Sequence, residues 1–176
     1  MNAIPLSKIS EWLALATEGW KAYLNVDNGK IMTVSLDHLA IAVGLVRVDN
    51  ALQENDYHDP SIYLSDRVLQ DFSDSERHDI RVAYHLTYNS DRYKELPNDY
   101  DFSMLKIMES FALVYHDQSV RANLLASLSR NEAAGSFLRN LQNLGIEHEW
   151  CEARDAALRV IARDWCIDNH ILFDED

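Results

Sequence analysis

In SKISEWLALATEGWKAY the apolar residues Ile9, Trp12, Leu13, Leu15 and Ala16 recur at helical spacing, which predicts an amphipathic helix with Ser7 as its cap and Gly19 as its stop. YLNVDNGKIMTVS then gives two short runs of β-branched and aromatic residues around Asn28-Gly29, a dipeptide suited to a hairpin turn because it tolerates positive φ. LDHLAIAVGLVRV is apolar without a decisive period, so helix and strand pair stay open there. From 49 to 100 the chain is acidic and interrupted by Pro60 and Pro97, with Ser73 and Glu76 at capping-box spacing ahead of RHDIRVAYHL. Beyond Asp101 the pattern is helical almost throughout. A second Ser/Glu pair, Ser129 and Glu132, precedes EAAGSFLRNLQNLG, Gly145 fits a helix stop, and a last long helix is expected from about Glu147 to Asp168. The fold class that follows is α+β, predominantly helical: an N-terminal helix and a small antiparallel hairpin or sheet packed on a C-terminal helical bundle.

The last helix carries two Trp-Cys pairs. At 100° per residue Trp150, Arg154, Ala157, Ile161 and Trp165 fall along one stripe, with Cys151, Leu158, Ala162 and Cys166 beside it. Trp150, Cys151, Ile161, Trp165 and Cys166 therefore read as core, since thiols and indoles on an apolar stripe serve packing. Arg154 is the polar outlier. It either packs its stem and pairs with an acid, or forms with Arg139 and Arg163 a small cationic island suited to an anionic group. Arg163 lies off the stripe, where substitution should matter little.

Composition narrows the function more than the fold. The chain has 176 residues, 5 Gly and 3 Pro, and reads as one domain: a neutral helix and hairpin portion (1–48), an acidic middle (49–100) and a helical portion (101–176). Its net charge of −13 is uneven. Residues 1–48 hold four acids and four bases, residues 49–117 fifteen acids against six bases (−9), and residues 118–176 ten against six (−4), all six bases being arginine. Such a field opposes a polyanion, so direct nucleic-acid binding is not expected, whereas a basic protein partner, or mimicry of nucleic acid, suits it. No apolar run reaches membrane-spanning length and MNAIPLSKIS lacks a secretory leader's pattern, so a cytoplasmic protein is expected. Two cysteines fifteen positions apart on one helix would lie roughly 22 Å apart, too far for a disulfide.

Candidate chemistry is sparse. His-Asp occurs at His58-Asp59, His78-Asp79 and His116-Asp117, residue types that can gather around a divalent ion in a phosphohydrolase. The dipeptides stand outside any longer motif, and exposed polar faces explain them as well. No phosphate loop, nucleophile elbow, zinc-protease helix or cofactor signature is present, and no cofactor is expected. Cys151 with His148 three positions earlier could serve as a nucleophile pair, but its place beside Trp150 favours an inert thiol. The leading expectation is a non-catalytic acidic interaction module, a regulator, inhibitor or immunity-type factor; a metal-dependent phosphohydrolase is the competing one.

The C-terminal segment AAGSFLRNLQNLGIEHEWCEARDAALRVIARDWCIDNHI resembles the closing signature of uncharacterised protein family 0158, a mainly bacterial group. The matching positions are Ala134, Gly135, Phe137, Arg139, Leu144, Gly145, Trp150, Arg154, Asp155, Ala157, Ala162, Trp165, Cys166 and Asn169. LPNDYDFSMLKIMESFALVYHD resembles the segment that precedes it in that family, and YLNVDNGKIMTVS its early hairpin. The resemblance spans about 96–171, more loosely 7–36, while 37–95 departs from the pattern. It implies a bacterial or phage origin and a fold, and carries no reaction with it.

Overall fold

The structure is a computed structural model that describes residues 3–15, 18–52, 64–98, 101–129 and 132–176. In chain order its elements are β1 (Ile4–Pro5), α1 (Leu6–Ala14), β2 (Trp20–Asn25), β3 (Ile31–Ser35), α2 (Leu36–Leu52), α3 (Asp74–Tyr88), β4 (Tyr93–Glu95), α4 (Met104–Val114), α5 (Gln118–Leu128), α6 (Ala133–Leu144), α7 (Glu147–Asp168) and β5 (Phe173–Asp174). The protein is thus α+β and mainly helical. Two compact units form: Met1–Ile4 with Ala16–Leu96, and Pro5–Leu15 with Pro97–Asp176.

The first unit is built on a three-stranded antiparallel sheet in the order β3-β2-β4, with Leu24 opposite Ile31 and Tyr23 opposite both Met32 and Glu95. The hairpin forms where Asn28-Gly29 indicates, but not as a two-residue turn. Its loop is Val26–Gly29, and only Gly29 takes a positive φ, of 69°. The reason is Asn25, whose Oδ1 accepts from the N–H groups of Asp27 and Asn28 and holds the chain in a wider turn. The open choice at 36–52 resolves as a helix: Ser35 Oγ accepts from His38 N at 3.1 Å and starts α2. At Ser73 the capping box is complete, with Ser73 N donating to Glu76 Oε2 at 2.8 Å. Val34, Ala42, Leu64, Leu69, Ile80, Ala83, Tyr84 and Leu86 make this unit's core.

The second unit is helical, and its core is aromatic. Phe111 of α4, Phe137 of α6 and Trp150 of α7 meet edge to face, with Trp150 5.5 Å from Phe111 and 5.2 Å from Phe137. Gly145, in the left-handed region at φ 69°, ends α6 while Ile146 N bonds Leu141 O. The expected capping box at Ser129 does not form. Ser129 ends α5, donating its hydroxyl to Leu125 O, and α6 starts from Glu132 at φ 57° with no side-chain cap. Likewise Ser7 does not cap α1: the N-cap is Pro5, two residues earlier, and the helix runs from Leu6 to Ala14.

The long helix α7 keeps its expected bounds, but its buried face is not one straight stripe. Trp150 is buried against α4 and α6, whereas farther along the buried residues are Leu158, Ala162 and Cys166, and there α7 packs beside α1. Steps of four residues gain about 40° each, so the buried face turns around the axis as the neighbour changes. This corrects the core assignment of Trp165 and Ile161, which are only half-buried, whereas Cys151, half-buried, packs against the aromatic core. Among the described residues no helix is long and apolar enough to cross a membrane.

Candidate functional site

The most distinctive polar geometry in the second unit lies between α1 and α7. Because Pro5 precedes α1 and the first turn carries no acid, the helix supplies no side-chain cap of its own. The carboxylate of Asp176 fills that role from 169 positions away: Ser7 N donates to Asp176 Oδ1 at 3.1 Å, and Ser7 Oγ donates to Oδ2. Arg159 Nη2 adds a third contact to Oδ1 at 3.3 Å. The hydroxyl and backbone bonds from Ser7, with Arg159 contributing less, hold the Asp176 carboxyl below the usual carboxylate range. Glu175 pairs with Arg163 at 2.9 Å, so the segment following α7 returns along it. The turn that allows this places His170 at φ 56°, with Ile171 N bonded to Cys166 O.

From the Asp176 contact a groove of about 450 Å³ opens along the same two helices, lined by Ser7, Ser10, Glu11, Ala14, Leu15, Arg154, Asp155 and Arg159. Arg154 is half-buried and bonded to its sequence neighbour: Nε and Nη2 donate to Asp155 Oδ1 at 2.9 and 2.7 Å. It is therefore neither paired to a distant buried acid nor free of one. Arg163, which the stripe places off the packed face, is partly covered: its Nε is shut off from solvent with no hydrogen-bond partner among the described residues. Arg139 sits on α6, bonded to Ser136 Oγ at 3.2 Å and 4.0 Å from Glu132. Of the three arginines singled out in the sequence, the groove takes in Arg154; its other charged lining residues are Glu11, Asp155 and Arg159.

The His-Asp pairs have local explanations where the structure describes them. His58 and Asp59 lie outside the described residues. His78 is exposed on α3 and Asp79 half-buried beside it, in the first unit. In the second, His116 stacks on Tyr115 with ring centroids 4.7 Å apart. Asp117 caps α5, accepting from Ser119 N at 2.8 Å and Val120 N at 3.0 Å, and those bonds lower its pKa. Among the described residues no three His, Cys, Asp or Glu side chains gather as metal ligands do. The buried Cys166 thiol is pushed up to about 11 by desolvation, the opposite of what a nucleophile needs.

Exposed acids occur in both units. Asp71, Asp74 and Glu76 stand at the surface around the start of α3. The base nearest them in sequence, Arg77, turns onto main-chain carbonyls: Nε donates to Leu69 O and Phe72 O at 2.9 and 2.8 Å, and Nη2 to Gln70 O at 3.0 Å. Its remaining nitrogen reaches Asp74 only at 3.7 Å. Arg81 pairs with Asp66 and Arg92 lies 3.9 Å from Asp27, while Arg67 stays exposed.

Residues 68–176 match the family described as Uncharacterised protein family (UPF0158). The match takes in α3 and β4 as well as the helical second half, so residues 68–95, which depart from the resembling pattern in the sequence reading, belong to the matched part, and the 7–36 hairpin region lies outside it. No curated protein and no solved structure matches the chain. With 109 of 176 residues inside the match, the chain belongs to uncharacterised protein family UPF0158.

Proposed function

We propose that this protein acts by contact with another protein, as a non-catalytic regulator, inhibitor or immunity-type factor whose acidic surface receives a basic partner. The observation that carries the reading is the disposition of charge at the start of α3. Asp71, Asp74 and Glu76 are exposed, and the base nearest them in sequence, Arg77, gives Nε and Nη2 to the carbonyls of Leu69, Gln70 and Phe72 and reaches Asp74 at 3.7 Å, so three acids stand against that one base. Capping holds Glu76 ionised: its carboxyl is lowered first by the hydroxyl and then by the backbone N–H of Ser73. A surface excess of charge of one sign speeds encounter with a partner of the other sign and rejects like-charged competitors.

The test uses the full chain as bait in extracts of its source cells, followed by binding measurements on each recovered protein. Asp71→Lys with Asp74→Lys leaves the Ser73–Glu76 cap intact and reverses the patch. A partner that binds about tenfold more weakly to this variant, and more weakly to the unaltered chain between 50 and about 300 mM salt, supports the reading. Equal binding by both chains at every salt concentration refutes it.

A further inference from the structure

We propose that the groove between α4 and α5 receives a second copy of this chain, so that the protein pairs with itself about a two-fold axis. The groove belongs to the second unit and is independent of the acids at the start of α3. It has a volume of about 300 Å³ and lies between the first half of α4 (Leu105, Lys106, Glu109) and the end of α5 (Leu125, Leu128, Ser129). At 100° per residue Leu105, Lys106, Glu109, Ser110, Leu113 and Val114 share one half-turn of α4, and all six are exposed. The outward face of a surface helix is ordinarily polar. Here half of the positions are apolar, with Leu105 47%, Leu113 52% and Val114 80% exposed.

Charge identifies the occupant. From Met104 to Leu128 two acids, Glu109 and Asp117, stand against two bases, Lys106 and Arg121, so this face is neutral on a chain of net charge −13. Asp117 is taken up by the N-cap of α5, and Arg121 by the carbonyl of Tyr115, to which Nε and Nη2 donate at 3.0 and 2.7 Å. Lys106 and Glu109 remain, one of each sign, and among the described residues neither has an ion-pair partner. A basic partner would be repelled by Lys106 and an acidic one by Glu109. A two-fold axis passing α4 between these residues sets Lys106 of each copy opposite Glu109 of the other and covers Leu105 of both. An isologous contact needs one self-complementary patch, and this patch is self-complementary in sign. Its extent sets the strength: two helices of 11 residues, each about 16 Å long and ~10 Å across, present roughly 320 Å², under half of the ~800 Å² per partner of a stable interface. The pair is therefore transient.

The experiment follows self-association of the full chain by sedimentation equilibrium, from ~5 μM to ~1 mM protein in ~150 mM salt. The unaltered chain should pass from monomer to dimer within that range. Lys106→Glu and Glu109→Lys should each weaken pairing at least about fivefold, because each sets like charges against one another twice. Glu109→Lys separates the causes: it removes two units of net negative charge, so relief of general repulsion would tighten pairing where loss of the Lys106–Glu109 contact weakens it. Carrying both substitutions on one chain should restore pairing. An equimolar mixture of the two single variants should associate more tightly than either alone, since only the mixed pair sets opposite charges together at both contacts. Leu105→Ala should weaken pairing about threefold. All these positions are exposed, so far-UV circular dichroism should match that of the unaltered chain. A chain that stays monomeric at ~1 mM overturns the proposal and leaves the groove to a helix of a different protein. So does pairing by Glu109→Lys or Leu105→Ala as tight as that of the unaltered chain, or a mixture that associates no better than its components.

Discussion

Trp150 should be the most costly single truncation in the second unit. It is 3% exposed, at the junction of α4, α6 and α7, with Phe111 and Phe137 edge-on at 5.5 and 5.2 Å. A buried tryptophan covers about 150–250 Å², worth roughly 4–6 kcal/mol at ~25 cal/mol per Å². Alanine keeps part of that contact while the cavity and two lost aromatic pairs add to the cost, so Trp150→Ala should lose about 4–5 kcal/mol. Trp165→Ala, half-buried, should lose about 2 kcal/mol. Arg154→Ala, whose partner Asp155 is solvated, should lose less than about 1 kcal/mol. Urea melts followed by far-UV circular dichroism measure all three: at a slope of ~2 kcal/mol per M, Trp150→Ala shifts the midpoint by about 2 M. A Trp165→Ala cost equal to or above that of Trp150→Ala would refute the turning buried face of α7.

Three further outcomes are expected. Arg163→Met keeps the stem's packing and removes a buried N–H that lacks a partner, a defect of about 1–3 kcal/mol, at the loss of a surface pair of about 0–1 kcal/mol; its urea midpoint should rise, and a fall of more than ~1 kcal/mol would mean that Nε is satisfied. A disulfide exchange reagent should modify Cys151 in the native protein and Cys166 only on unfolding; stability tied to the protonated Cys166 is present below its ordinary pKa of 9.0 and is lost as pH rises toward about 11, a loss that Cys166→Ala should abolish. Asp117 and Asp176, both lowered when folded, contribute stability that is present above the usual carboxylate range near pH ~4 and lost as pH falls through their depressed values, so Asp117→Asn and Asp176→Asn should each flatten the acid limb of a pH series of melts.

Local signals account for what was legible in the sequence. The bounds of α7, the Gly145 stop and the Ser73–Glu76 box each depend on residues within one turn of one another, and each is found where its residues indicate. Sequence spacing failed where an element's surroundings change along its length or where the partner is distant. Trp165 was misplaced because a single stripe assumes one neighbour, and α7 has several. Ser129 and Glu132 have the spacing of a cap, but Ser129 still belongs to α5 and bonds back to Leu125. The groove was half visible through Arg154. The Ser7–Asp176 contact was not, since nothing near Ser7 announces a carboxylate supplied by residue 176.

The placement of α1 also sets a timetable. Its helix partner α7 starts 133 residues after Ala14, yet α1 belongs to the same compact unit as α7 and buries Leu6, Ile9 and Leu13. At a synthesis rate of about 5–20 residues per second, that apolar face waits roughly 7–27 s on the ribosome before its partner exists. The first unit's sheet and helices can assemble in that interval, whereas α1 cannot. A nascent chain halted near residue 140, before α7 is made, should therefore expose α1 to protease and to chaperone while the 64–96 segment is already protected, and the final docking of α1 should be the step that long-range loop closure makes slow.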